Sequence, residues 1–365
     1  MPADPCVLLV GHDASRTGAP LVAAELVAWA AATTAAPWRV ALLRGGPLAA
    51  RYAASVPTSL PGAVEARLGR AAGPGAAALR LRREAASFDE APVVVANTVA
   101  AWAAAATVRR RRALVCWVHE LDGVADAVVP ATRRAALVAE TDRFVAAGAR
   151  VAAMLVDRWG VPAGRVRVAD PFVAAPPEAP AGCEVRVLDA GSLVARKGAD
   201  LFVDVVAGLA GSGPMAPGAA AWVGGPLEGP HAELVRHERR AAGLEEVLAL
   251  PGPAPDLEAW WPRAGIVVHP AREDPAPLVV LEAALRGVPT VTWDTGGAAD
   301  LLREAGCGHL VAPAGDLLGL VARARDLLAD PQRRDEAGRA LQAIAGRRTT
   351  ERAAPATFDA LVGGR

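Results

Sequence analysis

Short runs of β-branched and aliphatic residues alternate with longer stretches of helical period along almost the whole chain, the pattern of parallel strands covered by helices on both faces. In the first half the apolar runs predict strands at Val7–Val10, Arg39–Leu43, Val93–Ala96, Leu114–Val118, Arg143–Ala146 and Arg165–Val168, with helices between them, notably Leu21–Ala32 and Arg150–Trp159. A second series predicts strands at Arg186–Ala190, Ala220–Val223, Val247–Leu250, Ile266–His269 and Thr290–Trp293, and helices at Ala199–Leu209, Ala232–Ala242 and Leu278–Arg286. Between the two, Pro171–Gly182 holds four prolines (171, 176, 177 and 180) and no amphipathic period, so it reads as an extended linker. The fold class expected is α/β, with a first domain over 1–172, a linker over 173–183 and a second domain of the same architecture over 184–345. Beyond Gly315 the chain turns helical and charged through Leu317–Ala329 and Arg333–Ala345; its last stretch, 346–365, is expected to be a helical tail packing back on the first domain. Ligands of open α/β sheets bind beyond the carboxyl ends of the strands, and two such sheets facing each other would form a cleft. Residues just after strands are therefore the candidates for chemistry.

At 365 residues the chain exceeds one ordinary core and fits two domains. Its 39 basic and 39 acidic side chains cancel, so no long-range field draws it to nucleic acid or anionic lipid, and its partners are expected to be recognised locally. Cys6, Cys116, Cys183 and Cys307 lie far apart and form no Cys-x-x-Cys or Cys/His pattern, which implies a reduced compartment and no structural zinc. Met1–Cys6 lacks the basic start of a secretory signal, and no apolar run is long enough to span a bilayer. A cytoplasmic location is the expectation, with contact at a membrane surface left open. Much of the 53% hydrophobic content is alanine, which favours helix yet buries little area.

The most informative stretch runs from His269 to Pro289. A strand ends at His269, a loop carries Arg272, Glu273 and Asp274, and Pro277 suits the first helical position, where a missing N–H costs nothing. The amides of Leu278 and Val279 are then free, and with the helix dipole behind them they form an anion site. Asp274 precedes the helix start and Glu282 lies about 7 Å further along the axis at roughly 1.5 Å per residue, so two carboxylates flank that site. Carboxylates accept hydrogen bonds from hydroxyl pairs such as those of a sugar or a ribose. The bland alternative makes Glu282 and Arg286 an i,i+4 surface pair.

A second stretch, Gly191–Gly198, lies between a strand and a helix and carries Arg196 and Lys197, cations suited to the negative charge that a departing diphosphate develops. In the first half, a polar loop from Gly11 to Gly18 holds Asp13 and Arg16, and Gly18 permits close backbone approach. Asn97 and Thr98 close the third predicted strand and His119 the fourth. Gly224-Gly225 and Gly296-Gly297 are turns after strands of the second series. The run Arg109–Arg112 reads as a solvated loop, given a neutral chain with few aromatic residues. No GxGxxG follows a strand, and no phosphate-binding GxxxxGK[ST], GxSxG or HExxH occurs, so dinucleotide redox, phosphate-loop and serine-hydrolase chemistry lose their usual support. Nor is there an Asp-x-Asp.

These stretches resemble the retaining GT-B glycosyltransferases of family four, also called glycosyl transferases group 1. Asp274 and Glu282 fall on the two acids of that family's acidic-x7-Glu motif, and Gly287 and Pro289 on its closing Gly-x-Pro. The match is to a subgroup with an Asp-Pro-x-Pro-Leu-Val form, in which Pro277 replaces the usual glycine and Glu273 stands beside Asp274 as a rival first acid. Lys197 matches the family lysine, whereas Ser192 stands where its arginine usually is; Arg196 is the candidate replacement. The loop His12–Leu21 is similar to the subgroup's opening loop, which faces donor and acceptor.

The resemblance implies two Rossmann-like domains and transfer of a sugar from a nucleoside diphosphate to a hydroxyl acceptor, with retention and no metal or other cofactor. It assigns His119, Arg196, Lys197, Asp274 and Glu282 to catalysis: the cations and the helix start at Leu278 to the leaving group, Asp274 or Glu273 to the sugar, Glu282 to ribose and His119 to the glycosyl centre. It assigns Gly18, Gly224, Gly225, Glu273, Ala276, Leu278, Val279, Gly296 and Gly297 to the donor, and Asp13, Arg16, Asn97 and Thr98 to the acceptor side. Displacement on one face is expected, because the family pattern offers no carboxylate nucleophile of the retaining-glycosidase kind. A sugar-nucleotide epimerase, a pseudo-glycosyltransferase and a non-catalytic sugar-nucleotide-binding module remain rivals. Base, sugar, acceptor and oligomeric state stay open.

Overall fold

The computed structural model describes residues 6–62, 65, 75–90, 92–109, 112–176, 185–255 and 257–363. Most of the expected linker falls outside them, as do Cys183 and the middle of the run Arg109–Arg112. The chain divides into two units, Met1–Ala174 with Thr350–Arg365, and Ala175–Thr349.

In the first unit the strands are β1 (Val7–Gly11), β2 (Trp38–Leu42), β3 (Thr58–Ser59), β4 (Val93–Asn97), β5 (Leu114–Val118), β6 (Arg143–Ala146) and β7 (Val166–Val168). They form a parallel sheet in the order β3-β2-β1-β4-β5-β6-β7. Helices cover both faces, which is why β1, β4 and β5 read as unbroken apolar runs and not as alternations. The register Val7↔Val93 to Gly11↔Asn97 ends β1 and β4 side by side, and these are the strands where the order reverses. The first unit also contains the last helix, Thr350–Val362: the Phe358 ring lies 5.9 Å from Trp29 and 6.1 Å from Trp38, and the Thr350 amide donates to the Val173 carbonyl at 2.9 Å. Phe172 and Val173 are buried.

The second unit has β8 (Val185–Ala190), β9 (Ala220–Val223), β10 (Leu248–Gly252), β11 (Ala264–His269), β12 (Thr290–Trp293) and β13 (Val311–Ala312). All pair parallel, in the order β10-β9-β8-β11-β12-β13. Here the order reverses between β8 and β11. Asp316 and Asp330 cap the helices Leu317–Ala329 and Pro331–Ala345, accepting from the amides of Gly319 at 2.8 Å and Arg333 at 3.1 Å. Among the described residues Cys6, Cys116 and Cys307 are free thiols, and no helix is long and apolar enough to cross a membrane.

Candidate functional site

The reversal between β8 and β11 sets Asp189, one residue before the end of β8, beside His269, the last residue of β11. Both are buried, at 0% and 1% exposure, so neither could keep a charge there without a partner. His269 Nδ1 lies 3.1 Å from Asp189 Oδ2, and its Nε2 faces Asp274 Oδ2 at 3.4 Å. Lys197 donates to that same Asp274 oxygen. Asp189, His269, Asp274 and Lys197 thus form one relay, in which burial raises the Asp189 carboxyl against the pull of His269. Burial works against the proton on His269, but the Asp189 carboxylate, through charge and hydrogen bond, and Asp274 beyond it raise the imidazole to about 9. Burial also opposes ionisation of Asp274. Lys197 and then His269 outweigh it and hold that carboxyl well below the usual carboxylate range.

Backbone contacts lock the relay's loops together. The amides of Arg272 and Glu273 donate to the Arg196 carbonyl at 2.8 and 3.1 Å, and the Arg272 fork holds Asp200 at 2.9 and 2.6 Å. Gly198, in the left-handed region at φ +75°, has no room for a side chain, since a Cβ would meet the Pro270 oxygen at 2.2 Å. At Gly296 a Cβ would lie 1.9 Å from the Asp274 oxygen, and the Gly297 amide donates to that oxygen at 3.0 Å. The glycines of this turn therefore serve the close packing of the Asp274 loop. Gly224 and Gly225 sit likewise against the loops carrying Gly191 and Pro253.

The helix Leu278–Leu285 starts at the expected Leu278, but Pro277 is not its first helical residue. Pro277, at φ −71° and ψ 109°, is its cap, and the Pro277 carbonyl accepts from Val280 and Leu281, which leaves Leu278 and Val279 as the first helical amides. Ala276 lies in the loop just before. Glu282 lies one turn into this helix. Burial, opposed by Arg286 and reinforced by Glu258, pushes its carboxyl up to about 7. The bland pairing with Arg286 takes a different form: the guanidinium donates to the Glu282 carbonyl at 3.0 Å, and its ion pair is with Glu258. The Arg196 guanidinium donates to the Glu273 carbonyl at 3.4 Å.

The first unit gathers its own candidates at its reversal point. Asn97 and Thr98 are buried; Asn97 Nδ2 donates to the Ala19 carbonyl at 3.3 Å, and Thr98, at φ 84°, places Oγ1 3.3 Å from His12 Nδ1. A threonine held in that region is strained, and such residues persist where surrounding contacts fix them. Asp13 accepts from the Ser15 amide at 3.1 Å and faces Arg44 at 3.6 Å, while Arg16 and Gly18 are exposed. His119 packs its ring 4.6 Å from that of Trp117, and burial, then His12, lowers its imidazole to about 3.

Sequence reasoning missed Glu120, Asp189 and His269. The buried Glu120 carboxylate accepts from the His119 amide at 2.9 Å and the Val99 amide at 3.5 Å; burial still raises it to about 7 against those bonds. The available signal was a charged residue inside or just past a run of buried apolar ones.

With parallel sheets in both units, the fold is the two-domain α/β fold of GT-B glycosyltransferases. It is similar over its whole length to Anabaena Alr3699/HepE in complex with UDP and glucose, at a TM-score of 0.81 and 18% identity, covering 98% of this chain and 99% of that one. A glycosyltransferase of Rickettsia africae ESF-5 superposes at 0.78 with 11% identity, covering 99% and 100%.

In sequence, residues 184–330 match the family model described as Glycosyl transferases group 1. A segment is 31% identical over 139 residues to the lipopolysaccharide core biosynthesis mannosyltransferase LpcC of Rhizobium leguminosarum, covering 37% of this chain and 38% of that protein. A stretch of 88 residues is 35% identical to an exopolysaccharide phosphotransferase of Streptomyces coelicolor, covering 24% of this chain and 9% of that protein. The chain thus matches well under half the length of these relatives.

Proposed function

We propose that this protein transfers a sugar from a nucleoside diphosphate to a hydroxyl acceptor with retention of configuration. The observation that carries the proposal is the cationic turn at Lys197, joined through Asp274 to the loop that opens the helix at Leu278, inside the segment matched by the glycosyltransferase family model. An ammonium and free helix-start amides are what a departing diphosphate needs. On this reading Lys197, Arg196 and the amides of Leu278 and Val279 take the diphosphate, Asp274 or Glu273 the sugar and Glu282 the ribose. His119 supports the glycosyl centre, and Asp13, Arg16, Asn97 and Thr98 belong to the acceptor side. The acceptor oxygen bonds to the anomeric carbon as the bond to phosphate breaks on the same face, and the departing phosphate oxygen takes the acceptor proton. These cations do the work that a metal does elsewhere, so the reaction proceeds with chelator present.

The similarity to a structure holding UDP and glucose makes uridine diphosphate sugars the first donors to try. Donor, candidate acceptor and chelator are incubated with the protein, and product anomers are assigned by NMR. Lys197→Ala should lower turnover by roughly 10²–10³-fold, the scale for loss of one group that stabilises developing charge. Undiminished transfer and donor hydrolysis in that variant would remove the assignment.

A further inference from the structure

Lys197 cannot serve a diphosphate while its ammonium is held wholly by Asp274. Drawing it away would strip a buried carboxylate of a cationic partner, and breaking a buried ion pair from one side is strongly unfavourable. The relay removes that obstacle, because Asp274 Oδ2 is shared: Lys197 bonds it from one side and His269 Nε2 faces it at 3.4 Å from the other. His269 is in turn anchored by Asp189 Oδ1 and Oδ2 at 3.3 and 3.1 Å, while the Ala190 amide holds Asp189 Oδ1 at 2.8 Å. We propose that His269 is a positioning residue that keeps Asp274 compensated and in place, so that Lys197 can pass from Asp274 to an anionic ligand.

This rests on the glycosyl-transfer reading for the identity of the anion, a nucleoside diphosphate. It does not rest on it for the relay itself. The charged groups facing the imidazole are Asp189 from β8 and Asp274 from the loop after β11, with Lys197 behind Asp274; β12 contributes Thr292, whose hydroxyl donates to the His269 carbonyl at 2.9 Å. With His269 uncharged, Asp274 should hold Lys197 more tightly and the diphosphate should bind less well.

Two measurements on the full chain test this. The first is an NMR titration of the histidine rings, with His269→Gln identifying the His269 signal among six. The wild-type ring should titrate well above the ordinary histidine range, and Asp189→Asn should bring it down. The second is calorimetric binding of UDP and GDP across pH. Wild-type affinity should fall as pH rises through about 9, where His269 loses its proton. His269→Gln should bind roughly tenfold more weakly near neutral pH, the scale of one charged hydrogen bond, and lack that alkaline fall. A wild-type ring titrating near its ordinary value overturns the proposal, as does a Gln variant with wild-type affinity and pH profile. Should wild-type protein bind no nucleoside diphosphate, the glycosyl-transfer reading fails, and the ring titration, which needs no ligand, still decides the relay.

Discussion

A carboxyl whose burial outweighs the cation near it and one held by two cations answer pH in opposite senses, and Glu282 and Asp274 are one of each. Glu282, raised to about 7 chiefly by burial, meets an unfolded value of about 4.3, so its ionisation favours the unfolded chain increasingly between those two limits. Glu282→Gln should therefore be more stable than wild type at pH 8, with an advantage that shrinks through this window and vanishes below about pH 4, read by thermal unfolding across pH. An advantage independent of pH would mean the glutamate carries no burial penalty. Asp274 works the other way: its depressed value adds stability above about 3.9 that is lost as pH falls. His269 adds stability below about 6.5 that is lost as pH rises through about 9. Asp274 and Lys197 were legible in the sequence because each sits in a recognisable loop beside a helix start. Asp189 and His269 were not, since what joins them is the adjacency of β8 and β11 across 80 residues, which neither stretch displays by itself.

At the scale of elements, the central strands were legible because β1, β4, β5 and β11 are buried on both faces and stand out as apolar runs. The two-residue strands Thr58–Ser59 and Val311–Ala312 were not, as two residues carry no period. Alanine-rich Val99–Ala106 shows no stripe either, since its inward and outward positions are nearly alike. Helix starts follow local chemistry more closely. Pro277 became a cap and not the first helical residue because its extended ψ turns its carbonyl toward Val280 and Leu281. Asp330 both caps Pro331–Ala345 and precedes a proline at its first position, two devices that define one boundary. Asp330→Ala should cost about 1 kcal/mol in denaturant unfolding of the second unit, the usual value of an aspartate cap. Asn in the same place should recover most of it, because it too presents an accepting oxygen.

On the scale of the whole molecule, the first unit is assembled from two distant pieces of chain, and its stability should depend on the later one. The helix Thr350–Val362 adds no strand to the sheet. It instead covers Trp29 and Trp38 with Phe358, while the Arg143 guanidinium donates to the Ala360 carbonyl at 3.0 Å. Amphipathy in this stretch signals a helix that must dock, but the aromatic partners lie more than three hundred residues earlier, and nothing local names them. Phe358 is 8% exposed, so Phe358→Ala should leave a cavity beside both tryptophans and cost the first unit about 3 kcal/mol. Hydrogen exchange resolves where that loss falls. Amides of Val7–Gly11 and Trp38–Leu42 should exchange faster, whereas those of Val185–Ala190, in the other unit, should keep their wild-type rates. Equal acceleration in both sheets would show that the two units unfold as one, and that the returning helix supports the entire chain.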